Sequence, residues 1–306
     1  MIRFFDGGMG SMLNLAAGEL PEKLNISEPE RVFAVHKGYA DAGAEFITAN
    51  TFGANSLKYD NVDELVKAGV ALAKKAGKYV ALDIGPTGKL LKPMGDLEFE
   101  RAVELFAEVV RAGKDGSDVA IIETMSDMYE LKAAVIAVKE NSSLPIITSM
   151  IFDESGRLLT GGDVKSAVAM LEGLRVDAIG FNCGLGPKQM IPLVKELREC
   201  TSLPILVMPN AGLPESVDGK TVYNVSPDEF AQDMREIAKL GVSILGGCCG
   251  TTPKHIAKMI ELCKDIPDNV PEKKNDTVVC SYSSAVTIGE KPVVIGERIN
   301  PTGKSF

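Results

Sequence analysis

The sequence predicts an α/β protein, a (β/α)8 TIM barrel with a C-terminal extension. Three observations predict it: the chain length, the regular alternation of short apolar runs with longer amphipathic stretches, and the count of eight such units. The chain has 306 residues, 45% of them hydrophobic and 25% charged, the balance of an ordinary globular protein. Eight apolar or β-branched runs occur before residue 265: RFFDGG (3–8), EFITANTF (45–52), YVALDIGP (79–86), DVAIIETM (118–125), PIITSMIFD (145–153), AIGFNCG (178–184), PILVMPNAG (204–212) and SILGGCCG (243–250). Between them, LVKAGVALAKKA (65–76), FERAVELFAEVV (99–110), LKAAVIAVKE (131–140) and FAQDMREIAKL (230–240) carry apolar residues at three- and four-residue steps, the period of a helix with one buried face. Ser226-Pro227 and Thr252-Pro253 each offer a hydroxyl N-cap followed by proline at the first helical position. Eight β-then-α units match the count and length of a (β/α)8 barrel, with a doubly wound open sheet as the alternative.

Composition narrows the function. A net charge of -9 favours neither nucleic acid nor an anionic membrane surface as partner, which leaves small-molecule chemistry. The N-terminal MIRFFDGGMGSML places Asp and glycines where a signal peptide needs an unbroken apolar stretch, and no run has the length of a membrane span. A cytoplasmic location is expected. There thiols stay reduced, so the six cysteines are read as thiols or metal ligands rather than structural disulfides. His36 and His255 are the only histidines, both on expected helices and read as packing or surface residues, so a metal site would lean on sulfur.

In a (β/α)8 barrel the C-terminal strand ends form the active mouth. Those ends supply Asp6, Asn50 and Thr51, Asp83, Glu123 and Thr124, Asp153, Asn182 and Cys183, Asn210, and Cys248 with Cys249. Read singly, Cys183 is equally a small buried hydrophobe, and the vicinal pair equally a redox disulfide or simple packing. Taken together on one barrel face, the three cysteines suit a catalytic zinc with an open fourth position. Consecutive strand residues point to opposite faces, so Cys248 and Cys249 reach one point only if the backbone leaves strand geometry, which Gly246, Gly247 and Gly250 permit. Asp6 and Glu123 serve as ligand contacts or as loop ties. Gly7, Gly8 and Gly10 either present N–H groups to a substrate carboxylate or make a tight turn. Cys200, Cys263 and Cys280 fall on expected helices or the tail and are read as structural.

Read in order, DGGMG (6–10), ANTF (49–52), DIGP (83–86), ET (123–124), NC (182–183) and GGCCGT (246–251) resemble the homocysteine S-methyltransferase family over essentially the whole barrel. Ala49 stands where the family pattern has Thr. The resemblance implies that Cys183, Cys248 and Cys249 bind Zn²⁺ and that the homocysteine thiol takes the remaining position. It also implies that Asp6, Gly7, Gly8, Glu123 and Asn210 hold the amino-acid end, Glu123 pairing the ammonium group. No catalytic side chain beyond the zinc site is expected: a free thiol has a pKa near 8.5, and metal coordination deprotonates it without a general base. Family members differ in methyl donor, which is betaine, S-methylmethionine or methylcobalamin.

After residue 265 the alternation stops at the polar, proline-bearing PDNVPEKKNDT, followed by the β-prone VVCSYSSAVTIG (278–289). The final VVIGERINPTGK (293–304) resembles the first strand and turn of the pterin-binding module that follows this barrel in cobalamin-dependent methionine synthases. On that resemblance residues 1–265 are a homocysteine-binding barrel, 266–292 a linker and extension, and 293–306 the truncated start of a methyltetrahydrofolate module, to which Glu297 and Asn300 belong. The expected partners are homocysteine and the cobalamin- and methyltetrahydrofolate-binding modules of the same polypeptide, one of which carries the methylcobalamin. The rival readings are a stand-alone betaine- or S-methylmethionine-dependent enzyme, a non-catalytic zinc or thiol redox sensor, and a metal-free barrel lyase.

Overall fold

The computed structural model describes residues 1–306 apart from 16, 17, 218, 219, 268, 290, 295 and 297–306. Eight parallel strands form the barrel wall: β1 (Arg3–Phe4), β2 (Phe46–Thr48), β3 (Tyr79–Ile84), β4 (Val119–Met125), β5 (Ile146–Met150), β6 (Ala178–Asn182), β7 (Ile205–Met208) and, after the small hairpin β8 (Glu215–Val217) and β9 (Lys220–Val222), β10 (Ile244–Leu245). Their order is β1-β10-β7-β6-β5-β4-β3-β2. A parallel bridge from Phe5 to Phe46, beside the bond from Glu45 N–H to the Phe4 carbonyl, brings the two ends of that order together and closes the ring. The open-sheet alternative is thereby set aside.

The strands read as near-continuous apolar runs because both faces are buried. Alternate residues split between two clusters. Val119, Ile121, Leu206 and Met208 fill the barrel interior with Phe5, Ala81, Ile147, Ala178 and Ile244. Their neighbours Ala120, Ile122, Ile205 and Val207 face outward into the layer packed under the helices.

The helices are α1 (Met9–Leu13), α2 (Leu24–Ser27), α3 (Pro29–Asp41), α4 (Val62–Ala76), α5 (Phe99–Gly113), α6 (Met128–Asn141), α7 (Val164–Gly173), α8 (Pro187–Cys200), α9 (Pro227–Lys239) and α10 (Pro253–Cys263). Where they begin before the apolar periodicity, a cap explains it. The Asp127 side chain accepts from the N–H groups of Tyr129 and Glu130, which starts α6 three residues ahead of Leu131. Ser226 likewise accepts from Glu229 N–H at the head of α9. At the head of α10, Thr252 N–H donates to Nδ1 of His255, whose Nε2 meets the Val225 carbonyl. Both histidines are buried packing groups, and no polar partner meets either ring nitrogen of His36 among the described residues.

Beyond the barrel, β11 (Thr277–Cys280) and β12 (Ala285–Ile288) form an antiparallel hairpin within the expected β-prone stretch. It lies on α7, and Tyr282 at its tip packs edge-on against Tyr129, ring centroids 4.7 Å apart. Of the expected module start at 293–306, residues 297–306, with Glu297 and Asn300, lie outside the described residues. No described helix is long and apolar enough to cross a membrane.

Candidate functional site

β10 is only two residues long, and the chain leaves strand geometry directly after Leu245. The loop that follows is fixed by its backbone: Gly247 N–H donates to the Asp6 carbonyl, Cys248 N–H to the Pro209 carbonyl, and Ala211 N–H to the Cys249 carbonyl. Gly250 adopts φ +78 and lies against the ring of Tyr223, where a Cβ would come within 2.3 Å of the ring carbon. Cys183 follows β6 in the left-handed region at φ 58, uncommon for a residue with a side chain. These departures bring the three cysteines expected at the mouth into one cluster. Their sulfurs all lie within 4.8 Å of one another, and the Cys183 and Cys249 sulfurs are 3.8 Å apart.

That spacing tests the cluster as a metal centre. Bonds of about 2.3 Å at tetrahedral angles put sulfur atoms about 3.8 Å apart around zinc, whereas a disulfide requires about 2.05 Å. Three soft donors within 4.8 Å of one another, one pair of them at this separation, fit a zinc ion. The thiols also concentrate charge: hydrogen bonds with Cys183 and then Cys248 hold Cys249 down to about 3, and Cys248, bonded to both neighbours and buried, is pushed well up.

Beside the sulfurs lies a cavity of about 230 Å³, below the ~300–1,000 Å³ of pockets for drug-sized ligands and suited to a small substrate. Its wall contains Asp6, Gly7, Gly8, Glu123 and all three cysteines. Asp6 uses both oxygens on β2, accepting from Thr48 N–H at 2.9 Å and Thr48 Oγ1 at 2.7 Å. Burial nevertheless pushes its carboxyl up to about 7. Glu123 is pushed up to about 8, first by burial and then by the charges of Asp6 and Cys249. Asp83 also faces this cavity, with its Oδ1 buried and unpartnered among the described residues. Burial and then the charge of Glu123 raise its carboxyl well above the usual range. Four carboxyl groups, those of Asp6, Glu22, Asp83 and Glu123, thus line one small space, and no cation pairs with Asp6, Asp83 or Glu123 among the described residues, an arrangement that favours a positively charged ligand group.

Gly8 does not offer a free amide, because its N–H donates to Thr251 Oγ1 at 3.1 Å. Its lack of a side chain matters more: a Cβ would sit 2.7 Å from the Cys248 carbonyl oxygen. A Cβ on Gly7 would meet Thr251 Oγ1 at 2.5 Å and the Tyr39 hydroxyl at 2.9 Å. Both glycines let the Asp6 turn press onto the cysteine loop, and the Tyr39 hydroxyl ties the two by donating to the Thr251 carbonyl. Asn210 is buried but stands outside the cavity wall; its N–H donates to the Leu185 carbonyl, and its Oδ1 has no partner among the described residues. Asp153 turns away as well, accepting from Ser155 and Arg157 within its own loop.

The sequence profile of the homocysteine S-methyltransferase family matches residues 3–263, which spans every barrel strand. The chain belongs to the homocysteine S-methyltransferase family. Among curated relatives this member of the family is 32% identical over 97% of its length to a methionine synthase of Mycobacterium leprae, and 31% identical, again over 97%, to one of Mycobacterium tuberculosis. It spans 28% of the length of each. Its fold is that of the homocysteine methyltransferase MmuM from Escherichia coli. The metallated form of MmuM superposes with a TM-score of 0.72 at 23% identity, covering 84% of this chain and 95% of that one, and the apo form with 0.68 at 25%.

Singling out Asp6, Glu123 and the cysteines left several cavity residues of this homocysteine S-methyltransferase barrel unclaimed. Thr48, Thr124 and Phe52 line the wall, and Asp83 and Glu22 bring its carboxyl groups to four. Asp83 was signalled by its place at a strand end. Glu22 was not, because it arrives on the β1–α2 segment, where Tyr59 and Gly53 N–H bind its carboxylate.

Proposed function

We propose that this barrel is a zinc-dependent homocysteine S-methyltransferase module that transfers a methyl group from methylcobalamin to homocysteine to give methionine. The observation that carries the reading is the sulfur triad, within 4.8 Å and with one pair at zinc spacing, opening onto a cavity lined by four carboxyl groups. Cys183, Cys248 and Cys249 would hold the ion, leaving one tetrahedral corner for substrate. Zinc supplies Lewis acidity that keeps a substrate thiol deprotonated at neutral pH.

The protein's own groups do the rest. Glu123, with Asp83 and Asp6 behind it, receives the ammonium group, and the arriving cation draws their raised pKa values down so that they bind as carboxylates. Met208 and Phe52 flank the space for the side-chain carbons and exclude water from it. No histidine faces the cavity among the described residues, in keeping with a displacement in which the S–CH₃ bond forms as the donor–CH₃ bond breaks and no general base is required.

Methylcobalamin is preferred to betaine or S-methylmethionine because the curated relatives are methionine synthases of which this chain matches 28%. Residues 1–265 would then be the homocysteine module, 266–292 a linker and extension, and 293–306 the start of a methyltetrahydrofolate module, with the cobalamin module further along the same polypeptide. A cytoplasmic location would keep the three thiols reduced.

The test is donor choice. Purified protein is given zinc, homocysteine and, separately, methylcobalamin, betaine or S-methylmethionine, and methionine is measured. Methionine from methylcobalamin alone is expected; methionine from betaine or S-methylmethionine alone would overturn the donor assignment.

A further inference from the structure

We infer that Asn182 is a positioning residue that registers the Glu123 edge of the cavity against the metal-binding sulfurs through a single side-chain amide. The inference deepens the proposed function and rests on its reading of the three cysteines as a zinc site. Asn182 ends β6, is fully buried, and does not line the cavity. It therefore acts through other groups.

Its amide makes four contacts, the full capacity of the group. Oδ1 accepts from Thr124 N–H at 2.9 Å and from Ser149 Oγ at 2.7 Å. Nδ2 donates to Thr124 Oγ1 at 2.7 Å and to Cys248 Sγ at 3.8 Å. The orientation follows from the network: Thr124 N–H can only donate, so it must face the oxygen, and the NH₂ group must face the sulfur. Two of the contacts hold Thr124, whose φ of +64 is an outlier for a β-branched residue. This is where β4 slips its register against β5, between Ile122 and Met125, directly after Glu123, which follows Val119 and Ile121 on the inward face and lines the cavity. The other end of the same amide offers N–H to a sulfur that must be anionic to bind zinc. Partners of this kind orient metal ligands, and losing one typically costs about 10–100-fold in metal affinity. Asn182 also precedes Cys183, so the strand that carries the amide delivers a second sulfur.

The experiment measures zinc affinity by chelator competition, and the absorption band from sulfur to cobalt in Co²⁺-loaded protein, for the wild type and for Asn182→Asp, Asn182→Ala and Ser149→Ala. Asn182→Asp keeps an acceptor for Thr124 and Ser149 but replaces the donor at Cys248 by an oxygen. Its zinc affinity should fall about 10–100-fold and its cobalt band should move to longer wavelength. Ser149→Ala, which removes a contact remote from the sulfur, should leave both unchanged. Asn182→Ala loses both halves of the network, so at saturating zinc it should also bind homocysteine about tenfold more weakly or worse.

A purely structural asparagine would lower the melting temperature without moving the band. Should the Asn182 variants fail to fold, wild-type protein labelled with ¹⁵N and loaded with ¹¹³Cd is expected to show coupling between the metal and the Asn182 side-chain amide. Wild-type metal affinity in Asn182→Asp with an unmoved band, or no such coupling in the wild type, overturns the inference and leaves the zinc reading standing. A wild type that binds no zinc overturns both.

Discussion

The sulfur side of the cavity and its carboxylate side grow from neighbouring strand ends of one barrel, yet they treat buried polarity in opposite ways. On the sulfur side the backbone is distorted to converge three donors, with Cys183 at φ 58 and Gly250 at φ +78, and the N–H groups of Cys183 and Cys248 and the carbonyls of all three cysteines are bonded within the fold. On the carboxylate side β3 runs undistorted through Asp83 and only Thr124, beside Glu123, leaves strand geometry at φ +64, while burial leaves the acids raised in pKa and Asp83 Oδ1 without a partner among the described residues. On the proposed function the first arrangement spends strain to preorganise a metal shell. The second would leave the Asp83 oxygen unsatisfied until a cation arrives, which would favour a substrate that carries an ammonium group.

If the two sides are that different, mutations should separate them. The largest effect is expected from Cys248→Ser, which should take zinc content from one ion per chain to near none by metal analysis while circular dichroism stays that of a folded barrel. Full zinc in that variant would remove Cys248 from the shell. Glu123→Gln should do the reverse, leaving zinc content intact and weakening homocysteine binding by about 1.5–3 kcal/mol, the worth of a hydrogen bond to a charged group, as read by calorimetry. Loss of zinc in this variant would mean that the two sides are not separate.

Gly8→Ala strikes the seam between them, since the new Cβ meets the Cys248 carbonyl. It should cost about 1–3 kcal/mol of stability, seen as a lower urea midpoint with unchanged slope. The smallest effect is a pH drift. Asp6 and Glu123 have folded pKa values raised to about 7 and about 8 from 3.8 and 4.5. Groups raised in this sense contribute stability that is complete below their unfolded pKa and is lost as pH rises through the folded one. Without amino acid, the urea midpoint should therefore decline between about pH 4 and pH 8, and Glu123→Gln should flatten the decline.

The contrast also explains what could be read from the chain. The eight barrel strands were legible because strands buried on both faces are uninterrupted apolar runs, and the convergence of Cys183, Cys248 and Cys249 because all three stand at strand ends that open on one mouth. The hairpin β8–β9 escaped, since three-residue strands such as Glu215–Val217 carry no long apolar run. Gly8 had two possible uses in sequence, and only the distance to the Cys248 carbonyl distinguishes packing from substrate contact. Asn210 and Asn182 stand at strand ends of the same kind. Which of them touches the site depends on the registers of β4 and β6 against the β5 strand between them and on the path of the loop after β10, neither of which is encoded locally.

The central claim is that three cysteine sulfurs hold one zinc with a corner left for the substrate sulfur. X-ray absorption at the zinc edge tests it most directly. The account predicts three sulfur neighbours at about 2.3 Å in the zinc-loaded protein and one more when homocysteine is added. Fewer than three sulfurs, or a shell that homocysteine leaves unchanged, would contradict it.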